Sequence, residues 1–279
     1  MSSSVRSKNV PIEVFQLART AVDRAEVRRW LDNLGATEFE IPAEEEATDA
    51  ALLVALAAKQ CYMSFQPGLN KNVTKVRSDM CEYLDNVMKQ QHGSVLEHAV
   101  FSYGINNVSR VFTGEMNRHR AGIAISERSM RYIRFEDCLN WWLPPSLQIT
   151  DQDDDELRSL KYASQAIFHE TFSAQSENYA KLVKLWDLDA SSKNFHYKKT
   201  MTSCFRRIIG MGAATGGVWT GNVRALRHVF TMRCAAAAEE EICHVFTRIC
   251  ADMATKEPML FGDFQQNDAG FWTPKYVKV

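Results

Sequence analysis

The 279-residue sequence has no run of about eighteen uncharged apolar residues, and its opening stretch has no apolar core of secretory length. Neither export nor a helical membrane span is expected from those absences, and a cytoplasmic protein is. The seven cysteines never form a CxxC pair, are odd in number and lie scattered from Cys61 to Cys250, so reduced thiols are expected rather than a zinc site or a disulfide framework. Charge of one sign is lacking too: the net charge is -1, which gives no overall field for binding nucleic acid by counterion release. No internal repeat or low-complexity tract occurs. What is present is an ordinary globular composition, 46% hydrophobic and 10% aromatic, enough for a substantial core in one large domain or two small ones.

Along the chain, residues 1–45 read as an N-terminal extension with a helix-like stretch from Val14 to Leu34 and a polar, acidic turn region from Thr37 to Glu46; residues 46–279 form the main domain. Asp49 to Gln60 reads as a buried helix, and Val76 to Gln91 places Met80, Tyr83, Leu84, Val87 and Met88 at helical spacing. Val100 to Ile105 alternates as a short strand, after which Asn107 is a candidate cap for a helix that ends near Arg118. The acidic cluster from Asp151 to Glu156 introduces a long scaffold helix to Trp186. Gly210 to Gly221 reads as a glycine-rich break, and Asn222 to Ala251 as one long helix.

The segment Arg118 to Tyr132 gathers four arginines, a histidine, a glutamate and two serines. Such a concentration of guanidinium forks in a neutral protein points to a phosphate or another anion, the alternative being a salt-bridged surface hairpin. If Glu127 to Ile133 is extended, Glu127, Ser129 and Arg131 share one face. On the last helix Arg233 falls on the same side as Asn222, Leu226, Ala237 and Glu240, an apolar stripe on which it needs a carboxylate, such as Glu240, or a ligand.

Taken together, Glu97-His98, Val108-Ser109-Arg110, Arg118-His119-Arg120, Ser129-x-Arg131-Tyr132, Asn222-x-Arg224 and Met232-Arg233 resemble the flavin-dependent thymidylate synthase family over about residues 50–262. The resemblance implies an α+β fold with helices packed around a mostly antiparallel sheet, a homotetramer, and sites formed from several subunits. It also implies FAD as cofactor, with NADPH and methylenetetrahydrofolate as co-substrates in the reductive methylation of dUMP. Carried over by motif, Arg118, His119 and Arg120 line the flavin, with His92, Ser94, Asn222, Arg224 and His228 as further cofactor-binding positions. Glu127, Ser129, Arg131 and Arg207, with Arg206 as a rival, hold the nucleotide phosphate. Glu115 lies near the pyrimidine, and Arg233 acts at the pyrimidine ring as the catalytic residue.

Three departures bear on the substrate. Eight residues separate Arg120 from Ser129 where the family pattern has seven, so a bulge or longer turn, as at Ala121-Gly122, is needed to keep the downstream register. Glu115 stands where an amide is usual, which admits dCMP or a hydroxymethylated product as an alternative; the simpler role for Glu115 is a pair with Arg118 or Arg110. Ala237 and Glu239 replace a histidine and a glutamine. A non-catalytic nucleotide-binding module is the alternative from another class. No metal ligand set, nucleic-acid partner or membrane partner is expected.

Overall fold

Side-chain caps set the helix starts in the computed structural model, which describes residues 6–279; the first five residues of the expected N-terminal extension lie outside them. Asp23 caps α1 (Arg24–Asn33), Thr48 caps α2 (Asp49–Tyr62), Asp79 caps α3 (Met80–Lys89) and Ser109 caps α4 (Arg110–Met116). Asp154 caps α5 (Asp155–Leu185), Asn194 caps α6 (Phe195–Phe205), Asn222 caps α7 (Val223–Arg233) and Glu239 caps α8 (Glu240–Lys256). Each cap oxygen accepts a backbone N–H that the first helical turn leaves without a partner. The strands are β1 (Ser7–Asn9), β2 (Glu13–Arg19), β3 (Val100–Ser109), β4 (Ile123–Glu127), β5 (Leu139–Trp141), β6 (Ala214–Asn222), β7 (Phe264–Gln266) and β8 (Trp272–Pro274).

The chain forms two compact units, and β2, β3, β6 and β4, in that hydrogen-bonded order, contribute residues to each. Arg128 N–H donates to Gly216 at 2.8 Å while Asn222 N–H donates to Gly122 at 3.1 Å, so β4 and β6 are antiparallel. The first unit comprises the chain as far as Phe15, Gly104–Arg118 and Ile125–Val218. Its core packs α5 against β1 and β5, which pair in parallel, with Trp141 stacked on Phe172 at 5.3 Å and Phe205 set edge-on to Tyr179 at 6.0 Å. The second unit comprises Gln16–Tyr103, His119–Ala124 and Trp219–Val279. One of its cores gathers Leu31, Phe39, Leu52, Leu56 and Phe65; the rings of Phe101, Phe230, Phe246, Phe261 and Phe264 form another contact network.

The α+β class, α2, α3, β3 and the long α5 agree with expectation. Val14 to Leu34 is not one helix but β2 followed by α1. Strand β3 continues to Ser109, and this residue, not Asn107, caps α4 by accepting from Val111 and Phe112 N–H. The glycine-rich stretch is largely strand β6: a Cβ at Gly216 would lie 2.6 Å from the Ile105 carbonyl oxygen, so the glycine permits close strand approach. The long last helix is two, α7 and α8, so Ala237 and Glu240 do not share a helical face with Arg233. Among the described residues no helix is long and apolar enough to cross a membrane, and no acid, histidine and cysteine cluster could hold a metal.

Within the second unit, Lys59 of α2 is buried, donating to the Arg77 carbonyl at 3.1 Å with its ammonium 4.2 Å from the Tyr83 ring centre. Burial lowers its pKa from 10.5 to about 8. Between those values the unfolded chain binds more protons than the folded one, so this group adds stability as pH rises through the window. Urea midpoints of the wild type should therefore gain on those of Lys59→Met between pH 8 and 10.5; a constant difference would contradict the assignment.

Candidate functional site

In the first unit, the end of β4 and the start of α4 build an arginine-rich cleft. Ser109 fixes the start of α4, and Arg110 N–H donates to the Met211 carbonyl at 2.8 Å. From there the Arg110 guanidinium donates to Glu127 Oε2 at 2.7 Å and to the Arg128 carbonyl at 2.6 Å. Arg128 in turn donates to Asn106 Oδ1 at 2.7 Å. Phe205, buried at the end of α6, anchors the turn that carries Arg206 and Arg207, and Arg207 is braced by donating to the Ser203 carbonyl at 2.8 Å. Arg110, Glu127, Arg128, Ser129, Arg206 and Arg207 line a cleft of about 540 Å³. Its lining residues thus include four arginines and one glutamate, and Glu127 Oε1 and Arg110 Nε are buried without a hydrogen-bond partner among the described residues.

Glu127, Ser129 and Arg207 are thus together, as expected, and the rival Arg206 joins them. Arg131 is not among the lining residues. β4 stops at Glu127, and Ser129 starts a turn in which its carbonyl accepts from Tyr132 and Ile133 N–H at 3.0 and 3.2 Å. Because that segment is not extended, the strand alternation that grouped Arg131 with Glu127 and Ser129 does not apply, and the Arg131 side chain is exposed. Arg128, which that alternation would turn away from Glu127 and Ser129, is a lining residue. Arg110, expected only as a motif residue and as a possible partner of Glu115, instead pairs with Glu127, since a partly buried carboxylate requires a partner. Glu115 stands 3.7 Å from Arg118 in an i,i+3 pair, the simpler of its expected roles.

In the second unit, a cavity of about 550 Å³ is lined by Gln91, Glu97, Gly122, Asn222, Arg224 and His228, together with residues 276–279. Asn222 Oδ1 accepts from Ala225 N–H at 2.8 Å, which fixes the start of α7 and places Arg224 and His228 along the cavity. Gly122 has φ +70°, and a Cβ there would lie 2.6 Å from the Asn222 amide. A glycine turn thus stands at Ala121-Gly122, between Arg120 and Ser129.

Arg224 donates to Glu97 at 2.7 Å and also lines a neighbouring cavity of about 620 Å³ with His92 and Ser94. His92 is stacked on Tyr62, 6.4 Å between ring centres. Behind the first cavity, Arg233 Nε donates to Nε2 of the buried His119 at 2.8 Å, and the His119 and His228 rings lie 5.9 Å apart. Arg118 and Arg120 are exposed and line none of these cavities. Glu97, quoted only as part of a motif, proves to be the partner that orients Arg224.

A family model described as "Thymidylate synthase complementing protein" matches residues 45–259. Flavin-dependent thymidylate synthase from Mycobacterium tuberculosis (strain ATCC 25618 / H37Rv) is 30% identical over 251 residues, covering 89% of this chain and 92% of its own. The enzyme of the same description from Mycobacterium sp. (strain JLS) is 31% identical over 235 residues, covering 82% and 87%. Among solved structures, the UMP/dUMP methylase PolB from Streptomyces cacaoi bound with 5-Br UMP superposes with a TM-score of 0.58 at 15% identity, over 93% of this chain and 95% of that one. Thymidylate Synthase X from Helicobacter pylori with FAD and dUMP gives 0.52 at 15% identity, over 90% and 98%. At that identity the two structures establish a shared fold.

Proposed function

The chain belongs to the flavin-dependent thymidylate synthase family, and on that premise we propose that it methylates the pyrimidine of dUMP. Methylenetetrahydrofolate supplies the carbon and NADPH the reducing equivalents, giving dTMP and tetrahydrofolate. The observation that carries this reading is the convergence of Glu127, Ser129 and Arg207 with three further arginines on one cleft. Guanidinium forks match phosphate oxygens in both charge and spacing, and the Ser129 hydroxyl adds a donor.

The residues of the second unit fit FAD. His92 and Tyr62 bring two aromatic rings to one cavity, and Asn222, Arg224 and His228 give polar groups for an anionic cofactor. A Cβ at Gly93 would fall 2.3 Å from the Val279 backbone and 2.8 Å from the Arg224 guanidinium, so the wall there admits no side chain. When bound, FAD supplies the hydride chemistry of the reaction. The chain's own groups bind and orient. His119 holds Arg233 through its Nε, and the Arg233 guanidinium acts at the pyrimidine carbonyls, drawing charge onto their oxygens. No protein nucleophile is required.

Arg118, Arg120 and Arg131 are exposed on a single chain, which supports sites completed by other copies in a homotetramer; light scattering at the mass of four chains tests this, and a monomer would exclude it. Seven free cysteines fit a reducing cytoplasm. The direct test is purification with bound FAD followed by mass spectrometry of reactions with dUMP and dCMP. Conversion of dUMP to dTMP, with dCMP unchanged, is expected. Bound flavin with a dCMP product would redirect the assignment, and NADPH-independent nucleotide binding without turnover would leave only a binding module.

A further inference from the structure

We propose that Lys59, on the wall of a small cavity in the second unit, is an amine site that takes up small aldehydes as an imine. The cavity, of about 330 Å³, is lined by Phe39, Phe65, Gln66 and Val76 together with Arg77 and Lys59 itself. It is separate from the two cavities that fit the cofactor, sharing only Val76 and Arg77 with one of them. Methylation of dUMP makes no use of it. Lys59 is 2% exposed, and its ammonium meets no carboxylate among the described residues. Neutral groups place the nitrogen instead: it donates to the Arg77 carbonyl at 3.1 Å and the Ser64 carbonyl at 3.5 Å, and it stands 4.2 Å from the Tyr83 ring centre and 5.7 Å from that of Phe39. Because Arg77 and Phe39 both line the cavity, the amine lies at its wall.

A buried amine without a counter-charge gives up its proton readily, and desolvation brings Lys59 from 10.5 to about 8. At pH 7 roughly a tenth of the molecules then carry it as the free base, against roughly one in three thousand for an ordinary lysine. The free base is the nucleophile. Of the groups around it, the Tyr83 phenol is raised by burial and stays neutral, the Arg77 guanidinium is paired with Glu82 at 3.2 Å, and Glu38 and Glu40 are exposed carboxylates on the cavity wall. In the reaction the Nζ lone pair adds to the carbonyl carbon, the carbonyl oxygen takes up two protons and leaves as water, and a C=N bond replaces C=O. Amine and aldehyde give imine and water, with no oxidant or reductant consumed. Once protonated, the imine keeps one N–H for the Arg77 carbonyl and a positive charge for the Tyr83 ring face. The contacts that hold the amine thus also hold the product.

The test is brief exposure of the folded, FAD-loaded protein to pyridoxal and cyanoborohydride, which reduces each imine to a stable secondary amine, followed by peptide mass spectrometry across pH 6 to 11. At pH 7 Lys59 should be labelled at least about tenfold faster than the average exposed lysine, because far more of it is free base. Its labelling should reach half of its plateau near pH 8, while the exposed lysines go on rising towards 10.5. In Lys59→Arg, which keeps the charge and removes the amine, the fast phase should vanish and the slow labelling of the other lysines should persist. The wild-type peptide map decides the matter even if that variant does not fold. Labelling of Lys59 no faster than that of exposed lysines at pH 7 overturns the proposal, as does a profile for Lys59 that follows theirs. Neither result touches the assignment of the nucleotide or of FAD.

Discussion

Arg233→Ala is expected to lower turnover by roughly 10²–10³-fold, the effect of removing one preorganised donor from a site where charge develops, while FAD remains bound. Arg233 closes α7, and its Nε donates to His119 at 2.8 Å, so the imidazole fixes one edge of the guanidinium. Loss of the side chain removes the proposed stabilisation of the pyrimidine oxygens. It also takes a donor from a buried histidine, which adds a smaller structural cost. The measurement is kcat alongside flavin content after gel filtration. If FAD and activity fall equally, Arg233 is a scaffold residue acting through His119, and the catalytic assignment fails.

A second large effect is expected at Asp263. The Arg227 guanidinium, buried on α7, donates to both carboxylate oxygens of Asp263, at 2.6 and 2.8 Å, and to the Leu260 carbonyl at 2.7 Å. Asp263→Ala leaves that guanidinium buried without its counter-charge, an uncompensated burial that costs about 3–5 kcal/mol. At ~2–4 °C per kcal/mol for a chain of this size, the melting temperature should fall by roughly 6–20 °C. Because α7 also carries Arg224 and His228, affinity for FAD should weaken with it. A melting temperature within about 2 °C of wild type would show that the pair contributes little net stability.

Legibility from sequence followed the source of each signal. α2, α3 and α5 carry apolar residues at helical spacing behind capping Thr48, Asp79 and Asp154, and local pattern sufficed. β2 was read as helix because Val14, Leu17 and Ala18 sit among charged residues in no clear alternation; on this edge strand Phe15 and Leu17 are exposed. The α7–α8 break is set by tertiary contacts. Trp272 N–H takes the Cys234 carbonyl at 3.0 Å, and Glu239 restarts the helix by capping Glu241 and Ile242, neither of which an alanine-rich run announces. The phosphate cleft was half legible for a similar reason. Motif spacing located Glu127, Ser129 and Arg207, but Arg131 does not line the cleft and Arg128 does, because a turn, not a strand, follows Glu127.

Arg224 forms part of the wall of both cavities in the second unit. An occupant that reorients its guanidinium on one side changes the surface offered on the other. One cofactor that reaches both cavities therefore draws on Arg224 twice, so replacing this single side chain removes contacts at two places on the bound molecule.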